Sequence, residues 1–383
     1  MSVGVPVKVE LLHWASERAG HDLDAMAARF PKLKIHDWVT GAKQPTLKQL
    51  EAFANATHTP IGYFFLPAPP VIEVPLPDLR TMAGDRRGRP SPNMLDAIYL
   101  CQQRQEWYRD YAKQNGEDPL PFVGSARLED DVVETADTIR KTIRFDLALR
   151  NGLPTWTEAL RYFIARADEA GILVMVSGVV GNNTSRPLDP EEFRGFAIAD
   201  DLAPLVFINA ADTKAGQMFT LAHELAHIWL GRSALSDARA GDVPEHRVER
   251  WCNAVAAELL VPLSEFRKHY DPGHELHTEL DRLARRFKVS TLVILRRMHD
   301  AGGLTRSELW KKHEKEVARL RRVSKSSGGD FYLTLGARAS KRLARALVVS
   351  TLEGRTLYRD AFRLLGISTQ ETFDHIAKRL GGM

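Results

Sequence analysis

Two cysteines in 383 residues, Cys101 and Cys252, are too few for a disulfide-stapled scaffold and suit a reducing compartment. No apolar run approaches the roughly 20 residues that a bilayer-spanning helix needs. Residues 1–30 also lack the basic start, apolar stretch and cleavage site of a secretory signal. The expected location is therefore the cytoplasm, with no membrane partner. Neither sign of charge prevails, since 53 Lys and Arg face 49 Asp and Glu. A 44% hydrophobic and 27% charged composition excludes wholesale disorder and fibrous repeats. The chain is too long for one ordinary core, so two or three domains are expected.

The charge is unevenly placed. Residues 306–383 hold 17 basic and 8 acidic side chains, whereas the preceding 305 residues hold 36 and 41. A basic end of this kind suits nucleic acid or an acidic protein partner, and equally suits the solvated faces of ordinary helices.

Helical spacing divides the chain. Residues 1–66 read as short helices over Val9–Arg18, Leu23–Phe30, Lys34–Val39 and Thr46–Asn55, with Leu23, Met26, Phe30, Trp38, Leu50 and Phe53 as core. Residues 67–92 carry seven prolines and read as an extended linker. Residues 93–152 return to helix, and their aromatic side chains Trp107, Tyr108 and Tyr111 fit a core. From 153 to 305 the pattern mixes helix and strand. Trp156–Ala170 is a helix stopped at Gly171, ILVMVSGVV is a buried strand, and FRGFAIAD and PLVFINA form a strand pair. Two apolar helices follow, over Thr213–Leu230 and about Pro244–Leu260. Residues 306–383 form a basic helical region. Within it SKSSGGD at 324–330 reads as a joint, setting off a separate tail whose Arg338, Lys341, Arg342 and Arg345 are candidates to grip nucleic acid or an acidic toxin surface. The fold class is multidomain and mainly α, with one small β-sheet.

The segment WVTGAKQPTLKQLEAFANATHTPIGYFFLP resembles the exit of an XRE/Cro-type helix-turn-helix domain. That resemblance implies a recognition helix near Lys34–Val39, with Lys32, Lys34, His36, Lys43 and Gln44 as contacts to DNA. FPKLKIHDWV departs from the pattern by lacking the usual turn glycine. With 7 basic and 6 acidic side chains in residues 1–70, phosphate attraction is small, and a protein partner is the other expectation. A helix-turn-helix rhythm recurs in LDRLARRFKVSTLVILRRMHDAGGLT, where Arg296 and Arg297 are expected to be exposed, and in LYRDAFRLLGISTQETFDHIAKRLG.

The chemistry sits in FTLAHELAHIWLG, where His223, Glu224 and His227 spell H-E-x-x-H. Residues four apart on a helix share one side, so both imidazoles reach one ion, and the glutamate beside them can take a proton from activated water. Chance would produce the pattern about 0.03 times in such a chain. Apolar neighbours such as Phe219, Leu221, Leu225, Ile228 and Trp229 bury the trio, and a divalent cation satisfies all three groups together. A hydrolytic site needs a third ligand. Glu249, on the next helix, is the choice; Glu245 is the main competitor, with His246 and Glu258 behind it. Asn253 lies one turn beyond Glu249, suited to orient a ligating group. Arg194, His269, Tyr270, His274 and His277 are candidates to stabilise an oxyanion, and FRGFAIAD offers a strand edge for an extended substrate.

The stretch EEFRGFAIADDLAPLVFINAADTKAGQMFTLAHELAHIWLG, followed by VERWCNAVAAELLVP, resembles the ImmA/IrrE metallopeptidases over about residues 155–305. Trp251 stands where many members carry a second acid. The resemblance implies a gluzincin-like α+β core, with His223, His227 and Glu249 holding Zn2+ (or Mn2+) and Glu224 as general base. It implies a regulatory endopeptidase cutting a protein target such as a transcriptional repressor. Its XRE-fused members imply a second role, an antitoxin that sequesters a PIN-like ribonuclease toxin and represses its own operon.

Overall fold

The computed structural model describes residues 4–78, 90–236, 246–323 and 338–380, which fall into two compact units. The joint expected at 324–330 lies outside the described residues.

The first unit comprises residues 4–75 and 90–98. Its helices are α1 (Val9–Arg18), α2 (Leu23–Arg29), α3 (Ile35–Val39) and α4 (Leu47–Ala56). The start of α2 is fixed by Asp22, which accepts from the Ala25 amide, and that of α4 by a reciprocal Thr46–Gln49 capping box. Leu11, Met26, Ile35, Leu50 and Phe53 are buried, and Trp38, Phe53 and Phe64 meet edge to face. Where a turn glycine is missing, Lys34 itself takes the left-handed conformation, at φ 57°. Only five residues of helix follow it.

The second unit comprises residues 76–78 and 99–380 among those described. Helix α5 (Pro92–Gln114) contributes its residues from Tyr99 onward, followed by α6 (Val132–Thr142), α7 (Leu147–Gly152) and α8 (Trp156–Glu169). A Thr155–Glu158 capping box opens α8. Strands β1 (Leu173–Ser177), β4 (Gly195–Ile198), β5 (Leu205–Asn209) and β6 (Ala234–Ser236) form one sheet in the order β1-β5-β4-β6, and β2 (Val179–Val180) pairs with β3 (Asn183–Pro187) separately. Strand β1 runs parallel to β5, whereas β4 is antiparallel to both β5 and β6. Every residue of β1, β4, β5 and β6 is buried, as expected of a sheet covered on both faces. Val174, Val176, Ala197, Val206 and Ile208 join the core shared with α8, α9 (Lys214–Trp229) and α10 (Arg247–Leu260). Met175, between them in β1, instead meets Cys101 and Arg104 of α5.

Beyond α10 come α11 (Leu263–His269), α12 (Leu276–Phe287), α13 (Thr291–Asp300) and α14 (Arg306–Val323), then α15 (Lys341–Leu352), α16 (Tyr358–Leu365) and α17 (Gln370–Arg379). The tail expected to stand apart is fastened to the sheet-bearing unit. Ser340 Oγ donates to Asp168 Oδ1 at 2.5 Å, Arg342 donates to Glu117 at 2.9 Å, and Arg104 donates to the Leu364 carbonyl at 2.8 Å. Arg338 and Arg342 are therefore partly engaged inside the unit; Arg338 donates to Asn182.

Two other expectations are corrected. Strand β4 has neighbours on both sides, so FRGFAIAD presents no free edge. The outer strand is β6, and there the Leu235 amide donates to the Pro77 carbonyl at 2.9 Å. Arg297 is buried, because the buried carboxylate of Glu258, 3.2 Å away, requires a counter-ion that solvent does not supply.

Helix α9 lies close to β4 because Gly195 has no side chain. A Cβ there would sit 2.5 Å from Thr220 Cγ2, 2.7 Å from the Phe207 carbonyl oxygen and 3.2 Å from Glu224 Oε1. Gly195→Ala is expected to destabilise the chain by about 1–3 kcal/mol in urea unfolding. Adding Thr220→Ser should restore only part of the loss, since the rigid Phe207 carbonyl stays in place. Full restoration would show that the backbone contact does not matter.

Candidate metal centre

Thr213 opens α9 by accepting from the Gly216 amide, and the helix is buried from Gln217 through Trp229. His246 caps α10 through Nδ1, which accepts from the Val248 amide, and sets Glu249 in the first turn. The two helices pack side by side. His223 and His227 on α9 consequently face Glu249 on α10, with both histidines fully buried and Glu249 3% exposed.

Three electron-rich groups converge there. His223 Nε2 lies 3.1 Å from His227 Nε2, Glu249 Oε2 lies 3.2 Å from His223 Nε2, and Glu249 Oε1 lies 3.0 Å from His227 Nε2. Ligands about 2.0–2.1 Å from a tetrahedral zinc ion stand roughly 3.3 Å apart, close to these separations. Asn253 Oδ1 accepts from His223 Nδ1 at 2.9 Å, which leaves His223 Nε2 without a proton in the neutral ring. Among the described residues, both carboxylate oxygens of Glu224 and Nδ1 of His227 have no hydrogen-bond partner, although all are buried. The lone pairs that converge, those of His223, His227 and Glu249, are buried together and fit a cation. The donor set of two imidazoles and a carboxylate suits zinc and leaves one coordination position open.

The electrostatics follow from crowding and burial. Burial opposes ionisation of Glu249, yet His223 and His227 overcome it and hold the carboxyl well below its usual range. Burial also works against protonated His223, but Glu249 and Glu224 outweigh it and raise that pKa, while burial lowers that of His227. Burial pushes the Glu224 carboxyl up to about 8, with Glu249 adding to the rise and His223 and Ser236 offsetting only part of it.

Other residues named from sequence lie elsewhere. Glu245 is outside the described residues, His246 serves as the cap of α10, and Glu258 pairs with Arg297 and accepts from the Leu263 amide. Arg194 pairs with Asp212, His269 accepts from Arg286, His274 meets Glu279 at 2.9 Å, His277 lies 3.8 Å from Glu316, and Tyr270 stacks on Phe266. The structure does not gather these five into the His–His–Glu cluster. In the first unit Lys32, Lys34, His36, Lys43 and Gln44 are all exposed; Lys43 lies 3.9 Å from Asp37, and Gln44 accepts from the Val7 amide at 3.4 Å. Sequence reasoning missed Ser236. Its buried hydroxyl on β6 lies 3.3 Å from His227 Nε2, and no spacing rule links a short edge strand to the helix before it.

The triad of His223, His227 and Glu249 matches the active site of an H-E-x-x-H zinc protease. Residues 167–299, which contain it, match the family model of the IrrE N-terminal-like domain, peptidase M78. Residues 339–379 match a second model, described only as a domain of unknown function. Neither range reaches the first unit. No curated protein matches the chain.

In chain stripped of metal by a chelator, Glu224 penalises the native state as pH rises. Its folded pKa of about 8 lies above the ordinary glutamate value of 4.5, so the unfolded state loses its proton first. Glu224→Gln is expected to raise stability at pH 8 and above, with the gain shrinking to nothing near pH 4.5. Urea unfolding across that range checks the sign; a gain that grows toward acid pH would contradict it.

Proposed function

We propose that the chain is a regulatory zinc-dependent endopeptidase acting on a protein target, with a transcriptional repressor as the class of substrate. The observation that carries this reading is the convergence of His223, His227 and Glu249, with the unsatisfied carboxylate of Glu224 beside them. His223, His227 and Glu249 hold the metal, zinc being the choice and manganese the alternative. Asn253 fixes the ring of His223 by accepting from its Nδ1–H. When bound, zinc supplies Lewis acidity toward a peptide carbonyl and makes water acidic enough to react near neutral pH. Glu224 takes the proton from the attacking water and passes it to the departing amine. The likeness of residues 167–299 to the IrrE N-terminal-like domain supports the choice of a protein substrate.

The variants Glu249→Ala and Glu224→Gln separate binding from chemistry. Purified wild-type chain is expected to hold one zinc per molecule by elemental analysis, and Glu249→Ala to lose it. Glu224→Gln should keep the metal and lose about 10²–10⁴-fold in cleavage of a repressor substrate. Retention of zinc by Glu249→Ala would remove Glu249 from the ligand set. Undiminished cleavage by Glu224→Gln would remove the general base.

A further inference from the structure

A cleft of about 1630 Å³ opens in the second unit between the end of α6 with α7 on one side and α12 on the other. It exceeds the roughly 300–1,000 Å³ typical of small-molecule pockets, so its size suits a segment of a polymer. Eight Lys and Arg side chains line it against four carboxylates. Those carboxylates are already engaged. Asp137 lies 2.6 Å from Lys141, Glu265 lies 2.6 Å from Lys268, Asp281 lies 2.9 Å from Arg319, and Asp146 accepts from the Leu149 amide as the cap of α7.

Three of the cations form no ion pair among the described residues. Arg144, Arg285 and Arg286 are exposed, and none lies within ion-pair distance of a carboxylate among the described residues; Arg286 donates only to His269. Lys288 is held over the Trp156 ring. Beneath them Arg150 is fully buried, with its donors taken by the Leu260 carbonyl and Asn151 rather than by an acid. Burial and the neighbouring Arg140 pull its pKa down to about 9, so it is still charged at neutral pH. An uncompensated buried cation adds to the positive field of the cleft.

The cations follow the helix repeat. Arg282, Arg285 and Arg286 share one face of α12, and Arg140, Lys141 and Arg144 stand on the opposing wall. Arg282 and Arg286 are four residues apart on α12, so at about 1.5 Å per residue that ridge is roughly 6 Å long, the axial span of about two phosphate steps on one strand. Protein interfaces anchor on exposed aromatic or aliphatic groups. Among the described residues this cleft shows none, because Phe145 and Phe287 are buried and its lining includes no large exposed apolar side chain. Interfaces with nucleic acid are instead polar and positive, and guanidinium forks match phosphate oxygens.

We propose that the cleft between α6–α7 and α12 binds the sugar-phosphate backbone of a nucleic acid without reading its sequence. The site is separate from the metal centre: Leu260, whose carbonyl Arg150 engages, lies 11 residues beyond Glu249, or roughly 16 Å along α10. The proposal does not depend on peptidase activity.

Fluorescence anisotropy of the full chain with labelled mixed-sequence DNA of about 25 nucleotides, single-stranded and duplex, tests it between about 50 and 200 mM salt. Arg144→Gln/Arg285→Gln/Arg286→Gln should weaken binding to the preferred form at least about tenfold and flatten the log K against log salt slope by about 2. Arg285→Gln alone, at an exposed helical position, should give a proportionate part of the loss without a change in melting temperature. Lys34→Gln/Lys43→Gln in the first unit should change affinity less than about twofold. The proposal is overturned if neither DNA form binds, if the triple variant binds like the wild type, or if Lys34→Gln/Lys43→Gln abolishes binding. It is also overturned if poly-glutamate displaces DNA at equal charge concentration, which would assign the cleft to an acidic protein.

Discussion

Two imidazole nitrogens and a carboxylate are held about 3 Å apart inside an apolar helix pair, and most of the second unit serves that crowding. Such atoms repel one another unless a proton or a cation lies among them. Removing one member of a compensated buried set leaves a charge that typically costs about 3–5 kcal/mol. The arrangement persists because packing fixes α9 against α10 along their lengths, and neither helix can rotate its polar groups to solvent without exposing its apolar ones.

The sheet determines how closely that pair can be backed. Gly195 lets β4 approach α9 until the carboxylate of Glu224 lies against the strand, and the same closeness keeps water from solvating it. The raised pKa of Glu224 is thus a consequence of backbone proximity as much as of its own helix. On the other face of the sheet, the tail and α5 supply the cover. The basic tail read from composition is in this respect a structural cover, with Arg342 turned toward Glu117 and Tyr108.

Local sequence carried the elements well where propensity, capping and burial agree. The two helices of the centre, the helix from Trp156 and the strand pair of FRGFAIAD and PLVFINA stand where periodicity indicates. It failed where partners are distant. Arg297 looks exposed on a helix of mixed polarity and is buried because Glu258 lies beneath it. FRGFAIAD looks like an edge and is interior because Ala234–Ser236 returns beside it.

The sequence by itself determined that His223 and His227 share one side of a buried helix and that Glu249 and Asn253 share one side of the next, because helical geometry fixes spacing without reference to the rest of the chain. Only the tertiary structure decided that those sides face each other and that Ser236 closes on His227. It also decided that cations from α6, α7 and α12 meet in one cleft, although the chain before residue 306 is acidic on balance. Such meetings depend on how whole helices pack, and packing is set by shape and burial over distances that no local pattern spans.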